Sequence, residues 1–385
     1  MSAFFKKKSN TPVIGVDLGS GYIKLAQFKQ TGKGLSLINF GILPMPEDAM
    51  KEGRVVNSKE IGDVIKELLR FHSFVGNRIV AAVPGQLAVV KEILMEELPE
   101  DEIGEAVKWE MEKFLPFPID QATFDYKVLN SVSSEDGVPD KLNLLVVAAP
   151  LDAVESIADA LKAAELEPVA VEVEPFSKLR VLQFMNDFDF NSDMLLAIVN
   201  IGYSYTSISM VDKGMVNFFR TLPVGGKKFT DAISQSMGKS FKEAEEIKRN
   251  QLDLTDRENL AAQAILPLLD SLLLEISRSI DYYFKRFNEG KTMDTVILIE
   301  GGSANLKDID SYIEKSTGFT TKINRLLSDI VRFDPKLFTK EYLYEMAPSF
   351  STATGLALRE HHIGAILKAR KKSPQRKKLF QYKKG

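Results

Sequence analysis

The sequence predicts an α/β fold of two domains, with mixed sheets flanked by helices. Residues 14–21 read Ile-Gly-Val-Asp-Leu-Gly-Ser-Gly, a strand that ends on Asp17 and turns through glycines, and residues 198–202, Ile-Val-Asn-Ile-Gly, form a second segment of this type. Glycine in such a hairpin lets peptide N–H groups approach phosphate oxygens, and a carboxylate at the strand end can hold a hydrated Mg²⁺. The two hairpins together predict a nucleotide cleft between the domains.

A third element lies near the C-terminal end. Residues 295–299 read as a buried strand that runs into Glu-Gly-Gly-Ser-Ala-Asn-Leu at 300–306. We expect a helix to begin near Ser303 or Asn305, so that its free N–H groups face the ligand, while Gly301 and Gly302 leave room for a flat base. Each element alone is also compatible with an ordinary turn. The order of the three, with Gly225-Gly226 before a helix, favours the nucleotide interpretation.

The first domain begins with a hairpin. Strands are predicted over 13–18, 22–28, 35–42 and 79–83. Asn57 and Glu60 have capping-box spacing, and the apolar residues between 61 and 69 repeat at helical intervals, which predicts a helix before the fourth strand. Residues 84–172 then read strand, helix, strand, strand, helix, strand, with a polar loop at 131–140, and predict a compact inserted subdomain.

The second domain begins with residues 195–199, whose continuous apolar character predicts a central strand buried on both faces. Helices are predicted over 241–250, 266–287 and about 352–367. The last of these is expected to return to the first domain and to form a hinge with the region of Pro175.

Composition limits the function classes. The chain has 385 residues and no cysteine, which excludes disulfides, thiol catalysis and cysteine-based metal sites. No apolar run approaches the roughly 20 residues of a membrane span, and the N-terminal segment lacks the apolar stretch of a signal peptide, so a cytoplasmic location is expected. No Ser-His-Asp or Cys-His set is apparent among the three histidines, and no catalytic residue is predicted.

Charge is segregated along the chain. The net charge is −3, and residues 368–385 contribute +9, so the remainder carries −12. An acidic body of this kind excludes general nucleic-acid binding. The basic tail is predicted either to lie on an anionic membrane surface or to be a solvated, disordered segment.

Further motifs narrow the family. They are Ala-Val-Pro-Gly at 82–85, Ala-Val-Lys-Trp-Glu at 106–110, Phe-Leu-Pro-Phe-Pro-Ile-Asp at 114–120, Phe-Thr at 229–230, Ala-Glu-Glu-Ile-Lys at 244–248 and Thr-Gly-Leu-Ala-Leu-Arg at 354–359. The order of elements resembles the superfamily of actin, sugar kinases and Hsp70, and these motifs most closely resemble the type IV pilus assembly protein PilM family. The resemblance spans roughly residues 13–366.

The resemblance implies an actin-like, duplicated RNase H-like fold with an α+β insertion of the type called 1C in PilM and FtsA. The implied division is domain 1A over 11–83, 173–194 and 350–367, subdomain 1C over 84–172, domain 2A over 195–240 and 292–349, subdomain 2B over 241–291, and the tail over 368–385.

The resemblance also implies ATP with Mg²⁺ between the domains. Asp17 would hold Mg²⁺ through water. The cofactor-binding residues expected on the first domain are Gly19, Ser20, Gly21 and Lys24, and those expected on the second are Asn200, Gly202, Ser204, Thr206, Gly225, Gly301, Gly302, Ser303 and Asn305. Glu245 and Lys248 lie three apart on one helix face and would face the ribose and base. An ordinary surface ion pair is the alternative for those two, as an outward-facing strand lysine is for Lys24.

One position departs from the superfamily pattern. The acid expected at the start of the second hairpin is Asn200, which carries no negative charge and is a very poor general base. We therefore expect ATP binding with slow or absent hydrolysis, and a role in assembly rather than turnover.

By resemblance, the partner is the N-terminal cytoplasmic peptide of PilN, held between subdomains 1A and 1C at the cytoplasmic face of the inner membrane. Pro84, Gly85, Leu87 and Trp109 are the expected peptide-binding residues. Pilus motor ATPases and the platform protein are further expected partners, and a homo-oligomer is left open. Two alternatives remain: an FtsA-like membrane-associated filament protein of cell division, and a small-molecule kinase of the same superfamily.

Overall fold

The computed structural model describes residues 11–32, 34–132, 140–185, 188, 190, 193–325 and 332–361. The basic tail at 368–385, most of the polar loop at 131–140 and the end of the last predicted helix lie outside the described residues.

The strands and helices alternate as an α/β fold requires. The strands are β1 (Ile14–Leu18), β2 (Tyr22–Thr31), β3 (Gly34–Pro44), β4 (Met50–Lys51), β5 (Arg54–Val55), β6 (Arg78–Val83), β7 (Val89–Glu96), β8 (Ala122–Val132), β9 (Lys141–Pro150), β10 (Glu167–Val173), β11 (Met194–Ile201), β12 (Thr206–Asp212), β13 (Met215–Leu222), β14 (Asp294–Glu300) and β15 (Thr320–Ile323). The helices are α1 (Ser58–Phe71), α2 (Glu100–Glu112), α3 (Leu151–Ala163), α4 (Glu174–Met185), α5 (Gly226–Met237), α6 (Phe241–Asn250), α7 (Leu260–Phe287), α8 (Ile309–Thr317), α9 (Lys340–Met346) and α10 (Ser351–Ala357).

Two five-stranded sheets have the same topology. The first has the order β10-β6-β1-β2-β3 and the second β15-β14-β11-β12-β13. In each, the first strand pairs antiparallel with the next strand of a three-stranded meander and parallel with the fourth strand. This repeated topology confirms the α/β prediction of a duplicated fold with mixed sheets.

The packing layers follow from which faces are apolar. The helices α1 and α3 cover the outer face of the first sheet, and α5, α6 and α7 cover the outer face of the second. Between the two sheets lies a further core to which α4, α9 and α10 contribute. Strand β11 is buried along most of its length, which its continuous apolar sequence predicted.

The cap predicted for α1 is present. The side chain of Asn57 accepts a hydrogen bond from the Glu60 amide, and α1 begins at Ser58. This capping satisfies one of the four N–H groups that a helix leaves without an internal partner at its start.

The inserted unit is smaller than the range 84–172. Its three-stranded antiparallel sheet has the order β7-β9-β8, and α2 packs on one face through Ile103, Val107 and Met111. The last two elements of the predicted range belong elsewhere: α3 packs with α1, and β10 pairs parallel with β6 in the first sheet. The insertion with its own apolar core therefore spans β7 to β9.

The helices α4 and α10 cross in close contact beneath the first sheet. A Cβ on Gly355 would lie 1.9 Å from the backbone oxygen of Ser177, and one on Gly15 would lie 2.1 Å from the backbone oxygen of Ala353. Arg180 donates to both the Glu172 carboxylate and the Gly355 carbonyl oxygen. Because α4 connects the first sheet to the second, this crossing fixes the position of residues at the start of α4.

Among the residues that the structure describes, one helix, α7, is long and apolar enough to cross a membrane by length and composition alone. In this structure it runs along the second sheet and buries Ile265, Leu269, Leu272 and Ile276, among others, in that domain's core. Its apolar stripe is accounted for as the core-facing side of an amphipathic helix.

Candidate nucleotide cleft

A cleft of about 540 Å³ lies between the two domains. The ends of β1, β11 and β14 and the start of α4 contribute to its lining. The structure brings together in this lining the predicted residues Asp17, Gly19, Ser20, Gly21, Lys24, Asn200, Gly202, Glu245, Lys248, Gly301, Gly302, Ser303 and Asn305.

The first hairpin is closed by its own side chains. Asp17 and Lys24 are opposite one another in the β1–β2 register, and the Lys24 ammonium lies 2.7 Å from an Asp17 carboxylate oxygen. Lys24 is therefore not an outward-facing strand lysine. The Gly19 amide donates to the Tyr22 carbonyl oxygen at 3.1 Å, which closes the turn.

The two hairpins touch across the cleft. A Cβ on Gly21 would lie 2.6 Å from the ring of Tyr203, so glycine is required for the second hairpin to pack on the first. The Ser204 amide donates to the Ser20 hydroxyl at 3.2 Å, and the guanidinium of Arg249 donates to the Tyr22 hydroxyl at 2.8 Å. The domains are thus in direct contact at the rim of the cleft.

Three of the predicted cofactor-binding residues, Ser204, Thr206 and Gly225, are not in the cleft lining. Thr206 is buried and its hydroxyl donates to the Val224 carbonyl oxygen. A Cβ on Gly225 would lie 2.5 Å from the Tyr203 carbonyl oxygen, which indicates that this glycine allows α5 to approach the hairpin. Ser204 uses its amide in the contact with Ser20. Successive side chains of a strand point to opposite faces, so Thr206 points away from the cleft whereas the next residue, Ser207, lines it.

The two glycines after β14 have different roles. Gly301 has φ +88°, and a Cβ there would lie 2.4 Å from the Asn200 side-chain oxygen. A Cβ on Gly302 meets only the Ser349 hydroxyl, at 3.9 Å, so this position faces open space.

The prediction that an α-helix begins at Ser303 or Asn305 is wrong: Gly302–Asn305 form a short 3-10 turn, and α8 begins at Ile309. The Asn305 side chain donates to the Glu345 carbonyl oxygen.

Glu245 and Lys248 form an ion pair on the cleft wall. The Lys248 ammonium lies 2.6 Å from Glu245 and also donates to Thr230 and to the Gly226 carbonyl oxygen. All three of its protons are therefore used. Burial lowers the pKa of Lys248, although the neighbouring carboxylate acts in the opposite direction. For Glu245, burial acts to raise the pKa, but the attraction of Lys248 and its hydrogen bond hold the pKa below its usual value.

Sequence reasoning missed a polar cluster on the cleft floor. Glu174 begins α4, and its carboxylate lies 2.5 Å from the ammonium of Lys178, one helical turn later. The Asn200 amide donates to the same Glu174 carboxylate at 3.3 Å, and Lys178 donates to the Ser207 hydroxyl at 3.0 Å. The i, i+4 spacing of Glu174 and Lys178 was the available signal, but it is indistinguishable from a surface pair in sequence.

Glu300 completes the floor cluster and differs from its neighbours. It is fully buried, one carboxylate oxygen accepts from Asn324 at 2.6 Å, and the other has no hydrogen-bond partner. Burial raises the pKa of Glu300, against the attraction of Lys178. Burial also acts to raise the pKa of Glu174, but there the charge and hydrogen bond of Lys178 prevail and lower it. Two neighbouring carboxyl groups are thus driven in opposite directions by their surroundings.

The predicted peptide-binding residues lie in two places. Pro84 lines the cleft, the Gly85 amide donates to Glu174, and Leu87 packs on the first domain's core. Trp109 lies on α2 with its side chain pointing away from the core of the insertion, 69% exposed. The short turn that holds Pro84 and Gly85 is joined to β7, so one segment borders both the cleft and the insertion.

Asp17 is the residue of the cleft lining expected to support a Mg²⁺ ion. Within the described ranges, no group of three or more carboxylate or histidine side chains is placed to hold a metal. One oxygen of Asp17 pairs with Lys24, which leaves the other to accept from water. This donor set fits a metal held by phosphates and water with Asp17 in support, since Mg²⁺ usually keeps several waters and takes one or two carboxylates.

A match to a known family model shows the family to which this chain belongs. The model of the family described as type IV pilus assembly protein PilM matches residues 15–361. This chain belongs to that family. The match covers the whole arrangement of both sheets, the insertion and the cleft, and it favours PilM over the FtsA-like and kinase alternatives.

Solved structures agree with the family assignment. A structure described as the PilM-PilN type IV pilus biogenesis complex superposes with a TM-score of 0.78 at 28% identity, covering 91% of this chain and 99% of the other. The ethanolamine utilization protein EutJ of Carboxydothermus hydrogenoformans has a TM-score of 0.54 at 16% identity, covering 91% of each chain. MreB 5 of Spiroplasma citri, bound to AMPPNP, has a TM-score of 0.51 at 14% identity, covering 94% of this chain and 99% of the other. The last two show the actin-like fold and nothing further.

Proposed function

We propose that this PilM-family protein binds ATP with Mg²⁺ in the cleft and, in that state, binds the N-terminal cytoplasmic peptide of PilN at the cytoplasmic face of the inner membrane. Hydrolysis is slow or absent. In this role the protein links the inner-membrane assembly platform of the pilus to its motor ATPases and platform protein.

One observation carries the nucleotide part. Two hairpins and a double-glycine turn, from two sheets of identical topology, border one cleft of about 540 Å³. Gly302 faces open space there, which a flat base can occupy. Peptide N–H groups at the turns and the Lys24 ammonium group supply positive potential for phosphates.

The turn from Pro84 to Leu87 supports coupling of nucleotide to peptide. Pro84 and Gln86 line the cleft, and a Cβ on Gly85 would lie 3.3 Å from the ring of Phe219 in the second domain. The same turn leads directly into β7 of the insertion. Closure of the domains around a nucleotide would therefore act on the junction between the first domain and the insertion. A ligand can shift this equilibrium only by its differential affinity for the two states.

Calorimetric titration with Mg-ATP tests the nucleotide part, with a phosphate-release assay on the same samples. Gly302→Asp should abolish measurable binding, because the new carboxylate enters open space that the base requires. Gly32→Asp is the matched control, because Gly32 lies in the turn between β2 and β3, outside the cleft lining, and a Cβ there meets nothing within 4 Å. Asp17→Ala should weaken binding of Mg-ATP more than binding of ATP in EDTA. Equal binding by wild type and Gly302→Asp would contradict this site.

Trp109 provides a direct assay for the peptide part. It is the only tryptophan in the chain and is 69% exposed. Titration with a PilN N-terminal peptide should shift its emission to shorter wavelength, and tighter binding is expected with Mg-ATP present than without. A peptide that binds by calorimetry without changing Trp109 emission would place the groove away from α2. Rapid phosphate release by the wild type would instead favour an enzymatic role.

A further inference from the structure

The cleft floor, between the two hairpins, holds the carboxylate of Glu174, which is paired with the ammonium of Lys178. The Glu174 carboxylate accepts hydrogen bonds from the backbone N–H of Gly85 in the first domain and from the side-chain amide of Asn200 in the second. Its side chain is 20% exposed, whereas that of Lys178, 2.5 Å away, is 2% exposed. The carboxylate thus faces the cleft and the ammonium lies behind it.

The other carboxylates of the lining are less suited to act on a phosphate. Asp17 is paired with Lys24, and Glu245 is paired with both Lys248 and Arg249. Glu300 is fully buried, and Glu345 is exposed on α9, a helix outside both hairpins. Glu174 is therefore the carboxylate that both domains position where the two phosphate hairpins meet.

Lys178 is held in place independently of Glu174. Its ammonium also donates to the Ser207 hydroxyl, and Ser207 is opposite Asn200 in the β11–β12 register. Separation of the pair would leave the buried Lys178 charge without its nearest counter-charge, which is costly. The pair is therefore part of the cleft floor.

We propose that Lys178 is a positioning residue that keeps Glu174 from acting as a general base, so that the cleft retains a nucleoside triphosphate instead of hydrolysing it. This inference rests on the proposed nucleotide binding. In hydrolysis, a bond forms between the water oxygen and the γ-phosphorus. The bond from that phosphorus to the β–γ bridging oxygen breaks, its electron pair leaves with the diphosphate, and the water proton passes to a base. Glu174 is the group placed to accept that proton.

The charge environment explains the inhibition. A general base works best when its pKa lies near the operating pH, and an adjacent ammonium makes a carboxylate a weaker base. The charged groups facing Glu174 are Lys178 on its own helix, Lys24 on β2 and Glu300 on β14. Removal of the Lys178 charge leaves burial as the dominant influence, which makes Glu174 a stronger base.

The test compares wild type, Lys178→Met, Lys178→Arg and the double variant Glu174→Gln with Lys178→Met. Affinity for a non-hydrolysable ATP analogue is measured by calorimetry, and phosphate release from ATP is measured in single turnover from pH 6 to 9. Lys178→Met should release phosphate about 10-fold faster than wild type or more, with analogue affinity within about 3-fold. Its rate should rise with pH, whereas Lys178→Arg and the double variant should stay at the wild-type rate.

A second comparison does not require Lys178→Met to fold. Because Lys178 already suppresses the base, Glu174→Gln alone should leave wild-type phosphate release within about 2-fold. A loss of 10-fold or more in that variant would overturn the inference, as would Lys178→Met that binds the analogue but releases phosphate no faster. Failure of the wild type to bind the analogue would overturn the proposed function and, with it, this inference.

Discussion

Replacement of Gly355 by alanine should destabilise the protein at the crossing of α4 and α10. The new Cβ would lie 1.9 Å from the backbone oxygen of Ser177 and 2.5 Å from its carbonyl carbon. Ordinary contact begins at 3.4 Å, so the helices would have to separate by about 1.5 Å. Because the colliding atoms belong to the backbone, no side-chain rotation can relieve the contact.

The expected magnitude follows from two opposing effects. Overpacking of a core costs about 1–3 kcal/mol, and a backbone collision lies at the upper end of that range. Alanine is favoured over glycine inside a helix by about 1 kcal/mol. The net loss of unfolding free energy should therefore be about 2 kcal/mol.

Urea denaturation followed by circular dichroism measures this effect, with midpoints compared at unchanged slope. Gly104→Ala in α2 is the matched control, because it makes the same change inside a helix where a Cβ meets nothing within 4 Å. That variant should be stabilised by up to about 1 kcal/mol. Since α4 carries Glu174 and Lys178, Gly355→Ala should also weaken ATP binding. Midpoints that move in the same direction for both variants would refute the packing argument.

Two further predictions concern the cleft. Burial raises the pKa of Glu300, so the protonated form stabilises the fold below the ordinary pKa of 4.5 and that contribution is lost as the pH rises through the folded pKa. Relative to wild type, the free energy of unfolding of Glu300→Gln, measured by thermal or urea denaturation from pH 4 to 8, should increase with pH. The increase should be at most about 1.4 kcal/mol per pH unit, and a difference between the two proteins that does not change with pH would contradict the prediction. Tyr22→Phe removes the hydrogen bond from Arg249 across the cleft. Release of a fluorescent ATP analogue, measured by stopped flow, should become about 2- to 10-fold faster, whereas Tyr282→Phe, at an exposed position of α7, should not change it.

The relation between sequence and site differs from residue to residue. Gly202, Gly301 and Gly302 could be placed together from their positions after β11 and β14, because parallel strands bring their carboxyl ends to one edge of a sheet. The repeated hairpin pattern assigned Asp17, Gly19 and Gly21 to the matching place in the first domain. Glu174 and Lys178 could not. Their importance depends on the position of α4 beneath both hairpins, which is fixed by long-range contacts such as those of Gly355 with Ser177.

The limits of the insertion show the same distinction. The alternation of strands and helices over 84–172 was readable, but periodicity does not reveal which sheet a strand joins. The pairing of β10 with β6 assigns that strand to the first sheet, and the packing of α3 on α1 assigns the helix to the same domain. Similarly, the double glycine marked the end of β14, but the sequence did not reveal that a 3-10 turn at Gly302–Asn305 precedes α8. In that turn the Asn305 side chain donates to the carbonyl oxygen of the distant Glu345.

The α/β class, the duplicated hairpins, the family and the Asn200 departure could be read from the sequence, because strand-end glycines and local periodicity are encoded over a few residues. The side chains that meet on the cleft floor could be identified only from the folded chain. Charge pairing, burial and pKa there arise from groups on β11, β12, β14 and α4, separated by up to 126 residues between Glu174 and Glu300. Those interactions exist only once the two sheets have packed around the helices between them.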